Sequence, residues 1–350
     1  RQGLPRPKLC GGLLTKKTVR QIERLFATST ETLTRHGAII GSSHDYALFH
    51  TKHTLIQGEY PYPFHFVDRR IFDHFLVQQA IQAGARLVEE AHVARVDPKV
   101  PSVTCRDGRC FQGRYLIGAD GVNSAVRKAL PVDPAAWRSG LASTIEIALP
   151  RDQMPVPIHR PELYVGFVRA GYCWAFPHGD HVLLGVCNLA VARENIAACF
   201  RTFLRHLGLD PEDSAAHPAL RQFQGHPLPY GNYLTVPTHG PVLLAGDAAG
   251  LVEPLFGEGI FYALRTGEAA GLAAREALAG GDHAAAYLGV LRTEIFPELL
   301  WARRLRRAMY LCERALRHLP LGLLLRGGDQ RLVDVVHGDR SFRWFRRRAV

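Results

Sequence analysis

The sequence predicts an α/β fold, α+β when the whole chain is counted, and three observations predict it. Two short β-prone runs, around Tyr115–Ile117 and Val242–Ala245, each end in an aspartate set among small residues and each lead towards a helix. A helical segment opening near Val67 stops at Gly84 and is followed directly by an expected strand at 85–89, the helix-to-strand unit of an α/β fold. Between 131 and 240 the pattern changes to frequent prolines and period-two alternation, which reads as a separate antiparallel sheet. At 350 residues the chain exceeds the usual single-domain size. The expected division is a cofactor-binding region over 1–130 and 241–285, an inserted sheet over 131–240, and a basic helical region over 286–350.

Taken in order, residues 1–14 form a basic loop rich in Pro and Gly, and 15–35 read as one helix. Thr15 is its N-cap, and Val19, Ile22, Leu25 and Phe26 form its apolar stripe. Alternation between 37 and 62 predicts strands, 92–106 a hairpin, and Asp107-Gly108 a turn. Asn123 or Ser124 can cap a helix over 125–130. In the inserted sheet, strands are expected at 162–168, 171–176 and 181–189, with a helix near 191–208. A helix over 258–279 carries the small-residue face Ala263, Gly267, Ala270, Gly271 and Ala274, suited to close packing on a sheet. From Leu291 the chain reads as helical and Arg-rich, broken at Pro320 and Gly327-Gly328.

Composition excludes several classes. The apolar fraction of 47% and charged fraction of 21% are those of a globular protein, and no run of about eighteen apolar residues could form a membrane span. Seven scattered cysteines, never spaced C-x-x-C, argue against a zinc site or disulfide scaffold and for a reducing cytoplasm; no metal is expected. The net charge of +11 is concentrated in C-terminal arginines with no nucleic-acid motif beside them, so nucleic acid is discounted. Trp301, Leu321, Leu323, Leu324, Trp344 and Phe345 accompany those arginines, and peripheral contact with the inner membrane face is the expectation.

The stretch Gly246-Asp247-Ala248-Ala249-Gly250 is the centre of the reading. Its small residues let a large group approach the backbone. Pro254, Gly257 and Gly259 then deliver the chain into a helix near Glu258 and Ile260, whose first amides are free donors. Such a site suits an electron-rich, partly anionic cofactor. The second aspartate, in Gly118-Ala119-Asp120-Gly121, is explained most simply by the same extended ligand.

Both stretches resemble the Asp-Gly and Gly-Asp motifs of the flavoprotein monooxygenase-like superfamily. Three more narrow the resemblance to geranylgeranyl reductases: Lys8-Leu9-Cys10-Gly11-Gly12, Val67-Asp68-Arg69 with Phe72-Asp73, and Tyr172-Cys173-Trp174-Ala175-Phe176-Pro177. The resemblance covers 5 to about 275. It implies FAD as cofactor, held by Arg69, Asp120, Gly121, Gly246, Asp247, Ala248, Gly250, Pro254, Gly257, Gly259 and Ile260. It implies hydride transfer to a double bond of an isoprenoid or prenyl-lipid substrate, with Cys10, Tyr172 and Trp174 at the reaction site and NAD(P)H or ferredoxin as electron donor. Two features depart from the family: Phe256 stands where a small or hydroxylated residue is usual, and the chain has no G-x-G-x-x-G pyrophosphate loop. The implied fold is therefore a Rossmann-like FAD-binding domain lacking its first βαβ unit, with an upstream segment or weakened FAD binding as the two explanations. A flavin monooxygenase is the alternative. A halogenase is the weaker one, because Tyr172 and Phe176 replace the first Trp and the Ile of that group's W-x-W-x-I-P. A cofactor-free binding protein is the third reading.

Overall fold

A computed structural model describes residues 3–213, 218–221, 223–316 and 329–343. Its largest element is an eight-stranded sheet. Across it the strands run Leu13–Leu14, His53–Val67, Ile39–His50, Glu162–Val165, Gly171–His178, His181–Leu189, Leu141–Pro150 and Gln224–Pro229. All neighbours are antiparallel except Ile39–His50 and Glu162–Val165, which run parallel. Strands from either side of residue 130 thus share one sheet. Helix Ile196–His206 buries Phe200, Phe203 and Leu204 against one face, with Leu149, Cys173, Leu184 and Val186 beneath them. The opposite face carries Phe66, Trp174, Phe176, Cys187 and Tyr230 and looks onto the site described below.

A three-stranded sheet holds the two aspartate-bearing strands side by side. Val242–Leu244 pairs parallel with Leu116–Gly118 and antiparallel with Thr238–His239. Both aspartate loops therefore leave the same edge of one sheet. Gly118 is required there: a Cβ would come within 2.7 Å of Leu244 and 2.8 Å of Val126. Helix Ile260–Leu278 packs Tyr262, Ala269, Ala270 and Ala273 into the same core as Val242, Leu243 and Leu244. Strands Val93–Asp97, Ser102–Cys105 and Cys110–Gln112 form a separate three-stranded meander.

Several expectations change. The single helix over 15–35 is two, Lys16–Phe26 and Thr30–Arg35, because Ala27 turns left-handed (φ 46°) and Ser29 caps the second by accepting from the Thr32 amide. Residues 85–89 form no strand, since no described segment supplies a ladder partner and a strand exists only by pairing. Strand 162–168 stops at Val165, where Gly166 has φ 94°. The helices at 191 and 258 start at Ile196 and Ile260 instead, capped by Asn195 and preceded by Gly259. Beyond Leu291 a π-turn to Ile295 leads into helix Phe296–Leu316, and helix Asp329–His337 follows. Pro320, Gly327-Gly328 and, from the proposed membrane patch, Leu321, Leu323, Leu324, Trp344 and Phe345 lie outside the described residues. No helix among the described residues is long and apolar enough to cross a membrane.

Candidate active site

A cavity of about 380 Å³ lies between the aromatic face of the large sheet, the 8–13 segment, the start of helix Arg69–Gln82 and the 253–260 loop. Strand alternation sends Tyr172, Trp174 and Phe176 into it together. The Tyr172 hydroxyl donates to the Phe256 carbonyl, tying the sheet to the loop. Burial pushes the Tyr172 phenol well above its ordinary pKa, so it remains a neutral donor.

The cysteine segment docks on this aromatic row. Gly12, at φ 64°, donates its amide to Cys10 Sγ (3.4 Å) and its carbonyl accepts from the Val67 amide (2.8 Å). Gly11 lies so close to Phe176 that a Cβ would be 2.9 Å from the ring. Arg69 follows the capping residue Asp68 in its helix and donates Nε and Nη2 to Asp73 at 2.8 and 2.9 Å. Burial opposes the charge on Arg69, but the neighbouring Cys10 and the Asp73 carboxylate outweigh it and hold its pKa above the ordinary value.

On the loop side, Asp247 and the segment Gly257–Ile260 line the cavity. Glu253 is fully buried and accepts from the Leu255 and Phe256 amides (2.5 and 2.7 Å), which fixes the loop; burial pushes its carboxyl up to about 7. Glu258 accepts from Thr15 (2.8 Å) and Thr18 (3.1 Å) and pairs with Lys17 at 2.5 Å, anchoring the loop to helix Lys16–Phe26. From behind, the buried Arg306 donates to the carbonyls of Tyr230 (2.5 Å) and Pro254 (3.0 Å).

The cavity brings together Cys10, Arg69, Tyr172, Trp174, Asp247, Gly257, Gly259 and Ile260 from the sequence-derived set. The remaining candidates stand outside its lining. Asp120 caps helix Ala125–Lys128, accepting from Ser124 Oγ (2.5 Å) and the Ala125 amide (2.6 Å), and Gly121 makes the turn beside it at φ 77°. Gly246 donates its amide to Thr266 Oγ1 at 2.9 Å. Ala248 is buried under the loop, and Gly250, at φ 73°, lets the Asn232 backbone pass within 2.9 Å of where a Cβ would be. Pro254 serves Arg306 through its carbonyl.

Sequence reasoning missed Glu146, Cys187 and Arg306. Glu146 sits between Ile145 and Ile147 on strand Leu141–Pro150, where alternation alone reads a charged residue as solvent-facing. Only the register shows otherwise: Trp174 pairs with Gly185, and Gly185 pairs with Glu146.

The residues present fit a flavin. The Asp247 carboxylate reaches the cavity and has no hydrogen-bond partner among the described residues. Beside it, helix Ile260–Leu278 begins at Gly259 with no side-chain cap, leaving its first amides as donors at the cavity wall. An acceptor and a row of donors at one edge suit the ribityl hydroxyls and the carbonyl-bearing edge of an isoalloxazine. FAD bound there would supply a hydride acceptor and donor.

Fold and site together define a class: the FAD-dependent oxidoreductases that include reductases, halogenases and monooxygenases. Within it, the chain belongs to the tryptophan halogenase family, whose profile matches residues 27–275. It is 30% identical to the menaquinone reductase of Mycolicibacterium smegmatis over 86% of this chain and 75% of that one. It is 28% identical to the chloroplastic geranylgeranyl diphosphate reductase of Oryza sativa over 57% of this chain and 45% of the relative. An uncharacterized Methanosarcina barkeri protein, 28% identical, is spanned over 64% of its length. Among solved structures, a geranylgeranyl bacteriochlorophyll reductase-like protein of Thermoplasma acidophilum superposes with TM-score 0.69 at 18% identity, covering 95% of this chain and 83% of that one. The flavin-dependent brominase Bmp2 superposes with TM-score 0.64 at 16% identity, covering 96% and 85%.

Proposed function

We propose that this protein reduces carbon–carbon double bonds of a polyprenyl chain, as part of an isoprenoid lipid or quinone. One observation carries the reading: beside the Asp247 loop the chamber has a wall of Leu13, Leu48, Ile56, Phe64, Trp174 and Phe176, a contiguous apolar surface that suits a hydrocarbon chain. Reduced FAD supplies the hydride. Asp247 and the amides beginning at Ile260 hold the cofactor, and Arg69, fixed by Asp73, sets charge next to Cys10 at the cofactor end. Tyr172 closes the sheet onto the loop at Phe256, excluding water from the alkene. Phe256 narrows this end of the chamber and favours a slim chain over a fused ring. NAD(P)H or ferredoxin is the reductant, and the basic C-terminal helices dock on an anionic membrane that carries the substrate.

Anaerobic turnover tests the reading. With FAD and dithionite, prenyl alcohol or menaquinone substrates should gain two hydrogens per double bond, read by mass spectrometry. Product formation that strictly requires O₂ would instead support a monooxygenase and sink the reductase.

A further inference from the structure

The reaction proposed above needs a proton as well as a hydride, and the aromatic row of the cavity leads to one buried acid. Trp174 pairs across the ladder with Gly185, and Gly185 with Glu146. With no side chain at Gly185, the indole lies flat over it: a Cβ there would be 2.1 Å from Trp174 Cζ2. The ring thus reaches across the neighbouring strand to the Glu146 carboxyl. Glu146 is 6% exposed and lines the cavity. Its Oε2 has no hydrogen-bond partner, nor has Trp174 Nε1. The Cys10 amide and the indole N–H approach the carboxyl and favour its charged form, but they leave Oε2 without a bond and burial outweighs them. A buried carboxylate oxygen left bare costs several kcal/mol, whereas a protonated carboxyl removes most of that cost. Burial accordingly pushes the Glu146 carboxyl up to about 7.

Glu253, the other buried glutamate of the cavity, spends both oxygens on backbone amides. Glu146 spends none. A protonated acid with a free hydroxyl, on the wall of an apolar chamber, has one use in alkene reduction.

We propose that Glu146 is the acid that delivers the proton, which rests on the reductase reading above. As the hydride from reduced FAD forms a C–H bond at one alkene carbon, the π pair takes the Glu146 proton at the other. Two C–H bonds form; the hydride-donating N–H bond of reduced FAD, the alkene π bond and the carboxyl O–H bond break, and loss of the hydride's electron pair would leave FAD oxidised. The carboxylate is then reprotonated from water once the product has left. Tyr172, Cys187 and His226 share the sheet face of Glu146, and Cys10 and the charged Lys8, Arg69 and Asp73 line the same cavity; burial keeps Tyr172 and Cys187 neutral.

The test is Glu146→Gln, which keeps size and polarity and removes the proton. Difference infrared spectroscopy of the wild type minus the variant, without substrate, should show one protonated-carboxyl C=O band that vanishes as pH rises through about 7. Glu253 contributes equally to both proteins and cancels. No such band at neutral pH would overturn the assignment whatever the activity. In turnover the variant should lose about 100-fold or more in kcat with KM and FAD affinity retained, and should lose the wild type's decline in kcat above neutral pH. Glu146→Asp should recover part of the rate. A variant with wild-type kcat and pH profile would also overturn the proposal. A wild type that shows the band yet reduces no prenyl chain would overturn the proposed function, and the acid role with it.

Discussion

Replacing Gly185 by alanine probes the packing that aims the aromatic row. The added Cβ would stand 2.1 Å from Trp174 Cζ2 and 2.3 Å from Cε2. Carbon atoms pack at about 3.5–4.0 Å, so the indole must retreat by about 1.4 Å or more. It has little room: Trp174 is 7% exposed, with Tyr172 at 6.0 Å and Phe176 at 6.4 Å between ring centroids. Gly11 lies beside it, where a Cβ would be 3.8 Å from Trp174 Nε1. Overpacking a buried site of this kind costs about 1–3 kcal/mol. Urea unfolding should therefore show a lower midpoint with an unchanged slope, the mark of lost stability without lost compactness. The displaced ring also moves into the cavity, so the KM for long prenyl substrates should rise. A Gly185→Ala protein with the wild-type midpoint and an unshifted tryptophan emission would refute the stacking of Trp174 over Gly185.

Three further outcomes follow. Asp247→Ala removes a carboxylate with no hydrogen-bond partner among the described residues, so stability should change by less than about 0.5 kcal/mol while FAD affinity falls roughly tenfold to a hundredfold in a flavin fluorescence titration; unchanged affinity would remove Asp247 from the cofactor site. Glu253→Ala orphans the Leu255 and Phe256 amides and should destabilise the fold by about 2 kcal/mol or more at pH 5. Because the folded Glu253 pKa is raised to about 7 from an ordinary 4.5, the wild type itself loses stability as pH rises between those values, and the deficit of the variant should shrink by pH 8. His337 behaves oppositely: buried between Tyr60 and Phe64, its pKa is lowered to about 4, so stability present above pH 6.5 is lost as pH falls towards 4. His337→Asn should flatten that acid limb, worth about 2 kcal/mol after solvent screening, in chemical denaturation at pH 7 and pH 4.5.

Much of the chemistry was legible in the sequence because it is local. A strand, an aspartate and small residues in succession make a tight loop at a strand end by backbone geometry alone, and 242–250 was readable on that ground. The alternation of Tyr172, Trp174 and Phe176 likewise assigns one face to three aromatics without knowing what they face. The same pattern also serves the fold itself. Asp120, flanked by glycine like Asp247, spends its carboxylate on the helix it precedes, and Gly250 answers to the Asn232 backbone. The 85–89 stretch has strand composition, but composition supplies no partner.

What the sequence determined by itself was the set of short motifs and the ligand they resemble, since each motif is held within a few consecutive residues. What only the tertiary structure decided was which buried groups meet. Glu146 comes from strand Leu141–Pro150, Cys10 from the N-terminal segment and Asp247 from a loop a hundred residues on, and the ladder register through Gly185 sets the first against Trp174. Register is fixed by the pairing of whole strands and by which face the core buries. No residue carries that information alone, and so the buried acid of the cavity wall stayed hidden among isoleucines.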